Sequence, residues 1–246
     1  MKIKIIEPVI ETINTIGYEG EDEYLRKNLA KSTKFDRTFI EHGFESVESS
    51  TEQQFCIPDI ILETIKAEDE GYDAVYVNCF ADPGVYPGRE SVKVPVFGAF
   101  IPTMLIASAS GEKISIIATS KNYSRNLEKQ VKDSEFKDKV VSIRYTNLTV
   151  LELSKREKLL NTVVSEAIKA YEEDDADIVV LGCTAMAYLI EDIKIELKKK
   201  GYEISVLEPE ATALKFLEMY VQLGLTNSLK NKINTNIEKL VWHTNF

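Results

Sequence analysis

Short apolar runs alternate along this chain with longer stretches of helical periodicity. In the first half the runs are Lys2-Ile3-Lys4-Ile5-Ile6, Asp73-Ala74-Val75-Tyr76-Val77-Asn78-Cys79 and Val94-Pro95-Val96-Phe97-Gly98. The second half repeats them as Lys113-Ile114-Ser115-Ile116-Ile117, Asp177-Ile178-Val179-Val180-Leu181-Gly182-Cys183 and Ile204-Ser205-Val206-Leu207-Glu208. An apolar run bounded by acidic and turn residues reads as a buried parallel strand. Ahead of each central run lies a matching helical segment, Glu63-Thr64-Ile65-Lys66-Ala67 and Glu166-Ala167-Ile168-Lys169-Ala170, each followed by acidic residues. Helix-like segments follow the last runs, from Pro102 to Ser110 and from Ala211 to Leu223.

Each half therefore predicts β-α-β-α-β-α, the composition of a doubly wound parallel sheet. Right-handed crossovers put all the strands' carboxyl ends on one side of each sheet. The expected fold is α/β: two similar doubly wound parallel-sheet lobes related by pseudo-two-fold symmetry, with the active site in the cleft between them. The expected division is residues 1–97 plus 208–246 for one lobe and 98–207 for the other, crossing near Gly98 and Leu207. No Pro/Gly/Ser-rich linker separates the halves, so they should form a tight pair. The polar tail from Asn227 to Phe246, with apolar positions at Ile233, Ile237, Leu240 and Trp242, could be a capping helix or a subunit contact.

Composition narrows the function. The 246 residues are 44% hydrophobic, ample for real cores, and the net charge of −10 argues against nucleic acid or an anionic membrane as partner. No apolar run reaches the length of a membrane span, and the first residues are too charged for a secretory signal. Three cysteines, an odd number, fit free thiols in a reducing cytoplasm.

Two of those cysteines, Cys79 and Cys183, occupy equivalent places in the repeat, at the carboxyl end of the central run. Open α/β sheets hold their ligands at that end. A free cysteine is also among the commonest buried residues, and Cys56, with apolar neighbours and no counterpart in the repeat, reads as core. Two thiols in register can instead face each other across one cleft, taking a proton from one face of a carbon and returning it to the other. Asp82-Pro83-Gly84 after Cys79, and Thr184-Ala185-Met186 after Cys183, predict helix starts whose N–H groups lower a thiol pKa. The same N–H groups can stabilise an enolate oxygen. Asn78, Thr119, Ser120 and Thr184 stand at strand ends, where they either bond a polar substrate or do turn and capping work. His42 and His243 lack metal-ligand spacing to a cysteine, and Gly17-Tyr18-Glu19-Gly20 lacks the Lys-Ser/Thr of a phosphate loop. The acidic clusters Glu19 to Glu23 and Glu172 to Asp175 read as solvated faces.

The stretch Asn78-Cys79-Phe80-Ala81-Asp82-Pro83-Gly84 with Arg89-Glu90 resembles the Cys-Phe-Gly-Asp-Pro-Gly…Arg-Glu motif of hydantoin racemases. Leu181-Gly182-Cys183-Thr184-Ala185-Met186 resembles their Leu-Gly-Cys-(Ala/Thr)-Gly-Met. That family belongs to the aspartate/glutamate racemase superfamily. The resemblance runs from Lys2 to about Leu225 and implies a cofactor-independent racemase or epimerase. Cys79 and Cys183 would be its thiolate base and thiol acid. Pro8, Val9, Asn78, Phe80, Thr119, Ser120, Gly182 and Thr184 would line the substrate, with no metal or pyridoxal phosphate. The implied partner is a small-molecule substrate, and family analogy implies a homo-oligomer.

Three departures bear on substrate. Glu7-Pro8-Val9-Ile10 replaces the family's Asn-Pro-Asn or Pro-Val-Thr loop, Ala81 replaces a Gly, and Ala99-Phe100-Ile101-Pro102 replaces Pro-Gly-Glu-Ala. The amino-acid racemases of the superfamily carry His or Glu where this chain has Ala185, and an Asn-Thr pair where it has Phe80-Ala81. Their absence points away from aspartate and glutamate and toward a less charged ring, a 5-substituted hydantoin or allantoin. Two other readings stay open: a decarboxylase or cis–trans isomerase of the same superfamily, and a non-catalytic binding or accessory protein.

Overall fold

The computed structural model describes residues 1–12, 21–228 and 230. The apolar tail positions Ile233, Ile237, Leu240 and Trp242, together with His243, Gly17 and Gly20, lie outside the described residues.

The first sheet contains β1 (Lys2–Glu7), β2 (Lys34–Phe39), β3 (Ala74–Val77) and β4 (Val96–Phe97) in the order β2-β1-β3-β4, with every pairing parallel. The second contains β5 (Ile114–Ala118), β6 (Val140–Tyr145), β7 (Ile178–Leu181) and β8 (Ser205–Leu207) in the order β6-β5-β7-β8, again all parallel. The two sheets thus repeat one topology. Their connecting helices are α1 (Glu21–Asn28), α2 (Ser50–Asp69), α3 (Val85–Ser91) and α4 (Phe100–Ser110) in the first part of the chain. They continue as α5 (Lys121–Lys132), α6 (Arg156–Glu173), α7 (Ile190–Lys199) and α8 (Pro209–Gln222).

The repeat reading omits one strand from each sheet. Both omissions, β2 and β6, are edge strands with mixed exposure along their length. Lys34-Phe35-Asp36-Arg37-Thr38-Phe39 of β2 mixes charged and apolar positions, where the central strands β3 and β7 carry no charge. The central strands β3 and β7 are buried at every position.

The two sheets share a core. One core cluster joins Ile3, Ile5 and Tyr76 of the first sheet to Ile114, Ile116 and Val180 of the second, through Phe100 and Met104 of α4 and Leu214 and Leu217 of α8. Full burial of each such aliphatic side chain contributes about 1.5–3 kcal/mol. Phe97 of β4 stacks edge-on against Phe216 and Tyr220 of α8, with ring centroids 5.3 and 5.0 Å apart. Two further clusters fill the outer faces, one around Val163, Val179 and Ile193, the other around Ile6, Ile60 and Val75. Cys56 is fully buried in the last of these, and burial pushes its thiol up to about 11.

Candidate active site

Cys79 follows β3 and Cys183 follows β7, so equivalent strands of the two sheets end in the two thiols. Their loops touch. The Thr184 hydroxyl donates to the Asn78 carbonyl at 3.3 Å, joining the residue after one cysteine to the residue before the other.

Both thiols are half-buried, and burial is the main force on them. It pushes Cys79 far above the ordinary thiol range; the Ala81 N–H opposes the shift, while the neighbouring Cys183 and Asp82 add to it. Cys183 is pushed up to about 12, opposed by the Ala185 N–H and reinforced by Glu48. The expected lowering by helix starts is outweighed. The helix after Cys79 begins only at Val85 with Gly84 as its cap, and Cys183 caps a short 3-10 segment, Thr184–Leu189, that runs into α7. One backbone N–H per sulfur does not offset the desolvation of a thiolate.

The Cys79 loop is bolted to the point where the chain leaves the first sheet. The Cys79 carbonyl accepts from Asp82 N at 3.2 Å and from Ala99 N at 3.3 Å. The Asp82 carboxylate accepts from Phe100 N at 2.9 Å, supplying the α4 N-terminus with an acceptor. It lies directly over Gly98, where an added Cβ would stand 2.2 Å from its Oδ1. Burial raises the Asp82 carboxyl to about 7, against the backbone donors and Arg89 that favour the anion. The segment ahead of α2 also reaches across, since Glu48 accepts from Val150 N at 3.1 Å and Ser50 bonds Asn126.

The other sequence-predicted positions separate by environment. Pro8 is buried after β1, and Val9 packs on the outer core of the first sheet while its carbonyl accepts from Ile40 N at 3.2 Å. Phe80 is fully buried, edge-on to Phe100 at 5.4 Å, so only its backbone borders the cysteine loop. Its carbonyl accepts from Gln130 of α5 at 3.2 Å. Thr119 is buried and its carbonyl accepts from the Thr146 hydroxyl at 2.9 Å. Ser120 caps α5 in position but makes no side-chain capping bond. Gly182 lies flat on β5, where a Cβ would stand 2.9 Å from the Ile116 side chain and 3.1 Å from the Ile117 carbonyl.

Sequence reasoning missed the charged cluster beside Asn78. Glu7 pairs with Arg37 of β2, and Arg37 also reaches Glu210 at 3.3 Å and Asp22 at 3.2 Å. Glu208 is buried and raised by that burial; it accepts from Tyr24 OH at 3.1 Å and caps α8 through Glu210 N and Ala211 N. A signal was present in Glu208-Pro209-Glu210, an acidic cap with proline in the first turn right after a strand. A separate groove of about 440 Å³ lies between α7 and α8, lined by Tyr24, Lys194, Leu207, Glu208, Lys215 and Phe216 among others, and neither cysteine borders it. Among the described residues no group of three or more His, Cys, Asp or Glu is placed to hold a metal ion, and no helix is long and apolar enough to cross a membrane.

Two motif-bearing thiols thus stand at the ends of equivalent strands, in loops that touch. Comparisons with known proteins identify the family. The family model described as Asp/Glu/Hydantoin racemase matches residues 18–217. A hydantoin racemase of Pseudomonas sp. (strain NS671) is 30% identical, over 93% of this chain and 89% of its own length. Among solved structures, an allantoin racemase from Klebsiella pneumoniae superposes with a TM-score of 0.87 at 24% identity, covering 98% of this chain and 96% of that one. Arylmalonate decarboxylase shares the fold more distantly, with a TM-score of 0.58 at 14% identity over 89% of this chain and 91% of its own.

Proposed function

The chain belongs to the Asp/Glu/hydantoin racemase family, and on that premise we propose that it inverts the chiral carbon of a hydantoin-like ring, a 5-substituted hydantoin or allantoin, without a cofactor. One cysteine, as thiolate, removes the proton from its face of the carbon. The electron pair moves into the flanking carbonyl as an enolate. The other cysteine, as thiol, returns a proton to the opposite face, leaving the two sulfurs with exchanged protonation states. Cys79 and Cys183 are the pair, and the loops carrying Pro8, Val9, Phe80, Thr119, Ser120, Gly182 and Thr184 frame the ring. The free thiols of the chain suit a reducing, cytoplasmic setting.

The observation that carries this reading is the Thr184–Asn78 hydrogen bond, which ties the two cysteine loops together. The high thiol pKa values fit the reaction as well. A thiolate formed in a desolvated site is a strong base toward carbon, and its partner stays protonated as the acid.

The test is a substrate panel: single enantiomers of 5-substituted hydantoins, allantoin, aspartate and glutamate, followed by loss of optical rotation, with carbon dioxide release from an arylmalonate measured alongside. Loss of rotation on the cyclic ureides alone is the expected outcome. Carbon dioxide release without racemisation would replace the reading with a decarboxylase.

The pKa directions add a pH prediction. Free enzyme must lose one thiol proton to act, and burial holds Cys183 near 12 and Cys79 far above its ordinary value. Between about pH 7 and about pH 9, kcat/KM should therefore climb roughly tenfold per unit, since it reports ionisation of the free enzyme. A plateau already reached at about pH 7 would contradict the raised values.

A further inference from the structure

We propose that Asn78 is a positioning residue that sets the Cys79 thiol against Cys183, rather than a ligand of the substrate. The inference rests on the two-thiol reading above and concerns what holds the pair in place.

Asn78 is buried, and its polar groups are engaged on several sides. Its amide nitrogen donates to both oxygens of Glu7, at 2.9 and 3.1 Å, and lies 3.3 Å from Glu210 Oε1. Its amide oxygen accepts from Tyr76 OH at 3.1 Å. Its backbone N–H donates to the Ile6 carbonyl at 2.9 Å, and its carbonyl accepts from Thr184. An amide has two N–H donors, and both are directed at carboxylates here. The side chain therefore has no donor left for a ring carbonyl.

The partners come from three separate parts of the fold. Glu7 ends β1, Tyr76 belongs to β3, and Glu210 stands in the first turn of α8, on the far side of the second sheet in sequence. Asn78 thus gathers the end of β1, the start of α8 and the Thr184 loop onto the residue immediately before Cys79. Arg37 neutralises part of the charge by pairing with both Glu7 and Glu210.

The chemistry of the position selects asparagine. Two carboxylates need a donor between them, and Tyr76 OH needs an acceptor on the same planar group. Aspartate has the shape but would put a third carboxylate against Glu7 and Glu210. Alanine would take the amide donor from Glu7 Oε2 and leave the Oε1 atoms of Glu7 and Glu210 to Arg37. Glu7 is the main recipient of the amide.

The experiment uses purified full-length protein with Asn78→Ala, Asn78→Asp, Glu7→Gln and the Glu7→Gln/Asn78→Asp pair. Kinetics on the best substrate of the panel are read beside the thermal midpoint and the iodoacetamide labelling rates of Cys79 and Cys183, resolved by mass spectrometry. A displacement of about 1 Å at a reacting group can cost about a hundredfold in rate. Asn78→Ala should accordingly lower kcat by about ten- to a hundredfold while KM changes less than about threefold. Asn78→Asp should be worse. Adding Glu7→Gln should restore part of its loss, because the glutamine amide can donate to the new carboxylate. A purely structural role would lower the thermal midpoint without that rescue.

A substrate ligand would behave differently: KM would rise, and the Glu7→Gln change would rescue nothing. Either result would overturn the assignment. The labelling arm stands apart from turnover. If no substrate is found, altered Cys79 labelling in Asn78→Ala still supports positioning, and wild-type labelling rates at both thiols sink it.

Discussion

Replacing Cys79 by Ser is expected to lower the rate of inversion by about a thousandfold or more, and Cys183→Ser should do the same. A hydroxyl yields its proton to form a base far less readily than a thiol, so each variant keeps one competent face. The loss should be grossly non-additive. The Cys79→Ser/Cys183→Ser double variant should invert no more slowly than the worse single variant, because inversion needs both groups at once. Each single variant should also retain exchange of the chiral proton with solvent for one enantiomer, returning it to the same face. Which enantiomer keeps exchanging identifies the face each thiol serves. The substitutions change one atom at half-buried positions, so the thermal midpoint should hold. Chiral chromatography of the reaction measures inversion directly. A single-serine variant within about tenfold of wild type would remove that cysteine from the mechanism.

The largest effect on stability is expected at Gly98. An added Cβ there would meet Asp82 Oδ1 at 2.2 Å, Cγ at 2.6 Å and the Asp82 Cα at 3.1 Å. The carboxylate cannot swing away freely, because it accepts from Phe100 N at the start of α4. The Asp82 backbone cannot retreat either, since its N–H is bonded to the Cys79 carbonyl. Gly98→Ala should therefore destabilise by about 2–3 kcal/mol, the cost of overpacking a fixed site. Because the displaced loop carries Cys79, inversion should slow as well. Asp82→Gly removes the obstructing carboxylate, and a glycine suits the left-handed φ of 50° at that position. In that background Gly98→Ala should cost less than in wild type, a coupling that a double-mutant cycle of chemical denaturation resolves. Equal costs in both backgrounds would mean that the Asp82 contact is not what makes glycine necessary.

Much of this architecture was readable in the apolar runs. Six of the eight strands stand where a run predicts one: the four central strands, which a parallel sheet covers on both faces, and the short edge strands β4 and β8. The cysteine pair was readable for the same reason: a thiol at the end of one such run is unremarkable, and one at the end of each is a pattern. The edge strands β2 and β6 escape the apolar runs because partial exposure dilutes their signal with charge, as Asp36 and Arg37 do in β2. The repeat Val140-Val141-Ser142-Ile143-Arg144-Tyr145 carries enough β-branched residues to have been read as a strand.

At the site, sequence and structure part over side-chain direction. Phe80 beside Cys79 invites reading as a substrate contact, yet its ring is spent on the core against Phe100. Asn78 invites the same reading, yet its amide faces Glu7 and Glu210. Glu210 is 132 positions away in the chain, and no local pattern ties it to Asn78. Nearness to a helix start is visible in sequence and points to lowered thiol pKa values, while the burial that raises them is not. Asp82-Pro83-Gly84 is legible as turn chemistry, but its contact with Gly98 depends on how β4 ends.

The most direct test of two-thiol inversion is to incubate one enantiomer of a 5-substituted hydantoin, and of allantoin, in D2O and follow the chiral carbon by proton NMR and chiral separation together. The account predicts that deuterium enters the product as it inverts with wild-type protein, and that both processes fall to the uncatalysed rate in the Cys79→Ser/Cys183→Ser variant. Deuterium entry or inversion at the wild-type rate in that variant would contradict it.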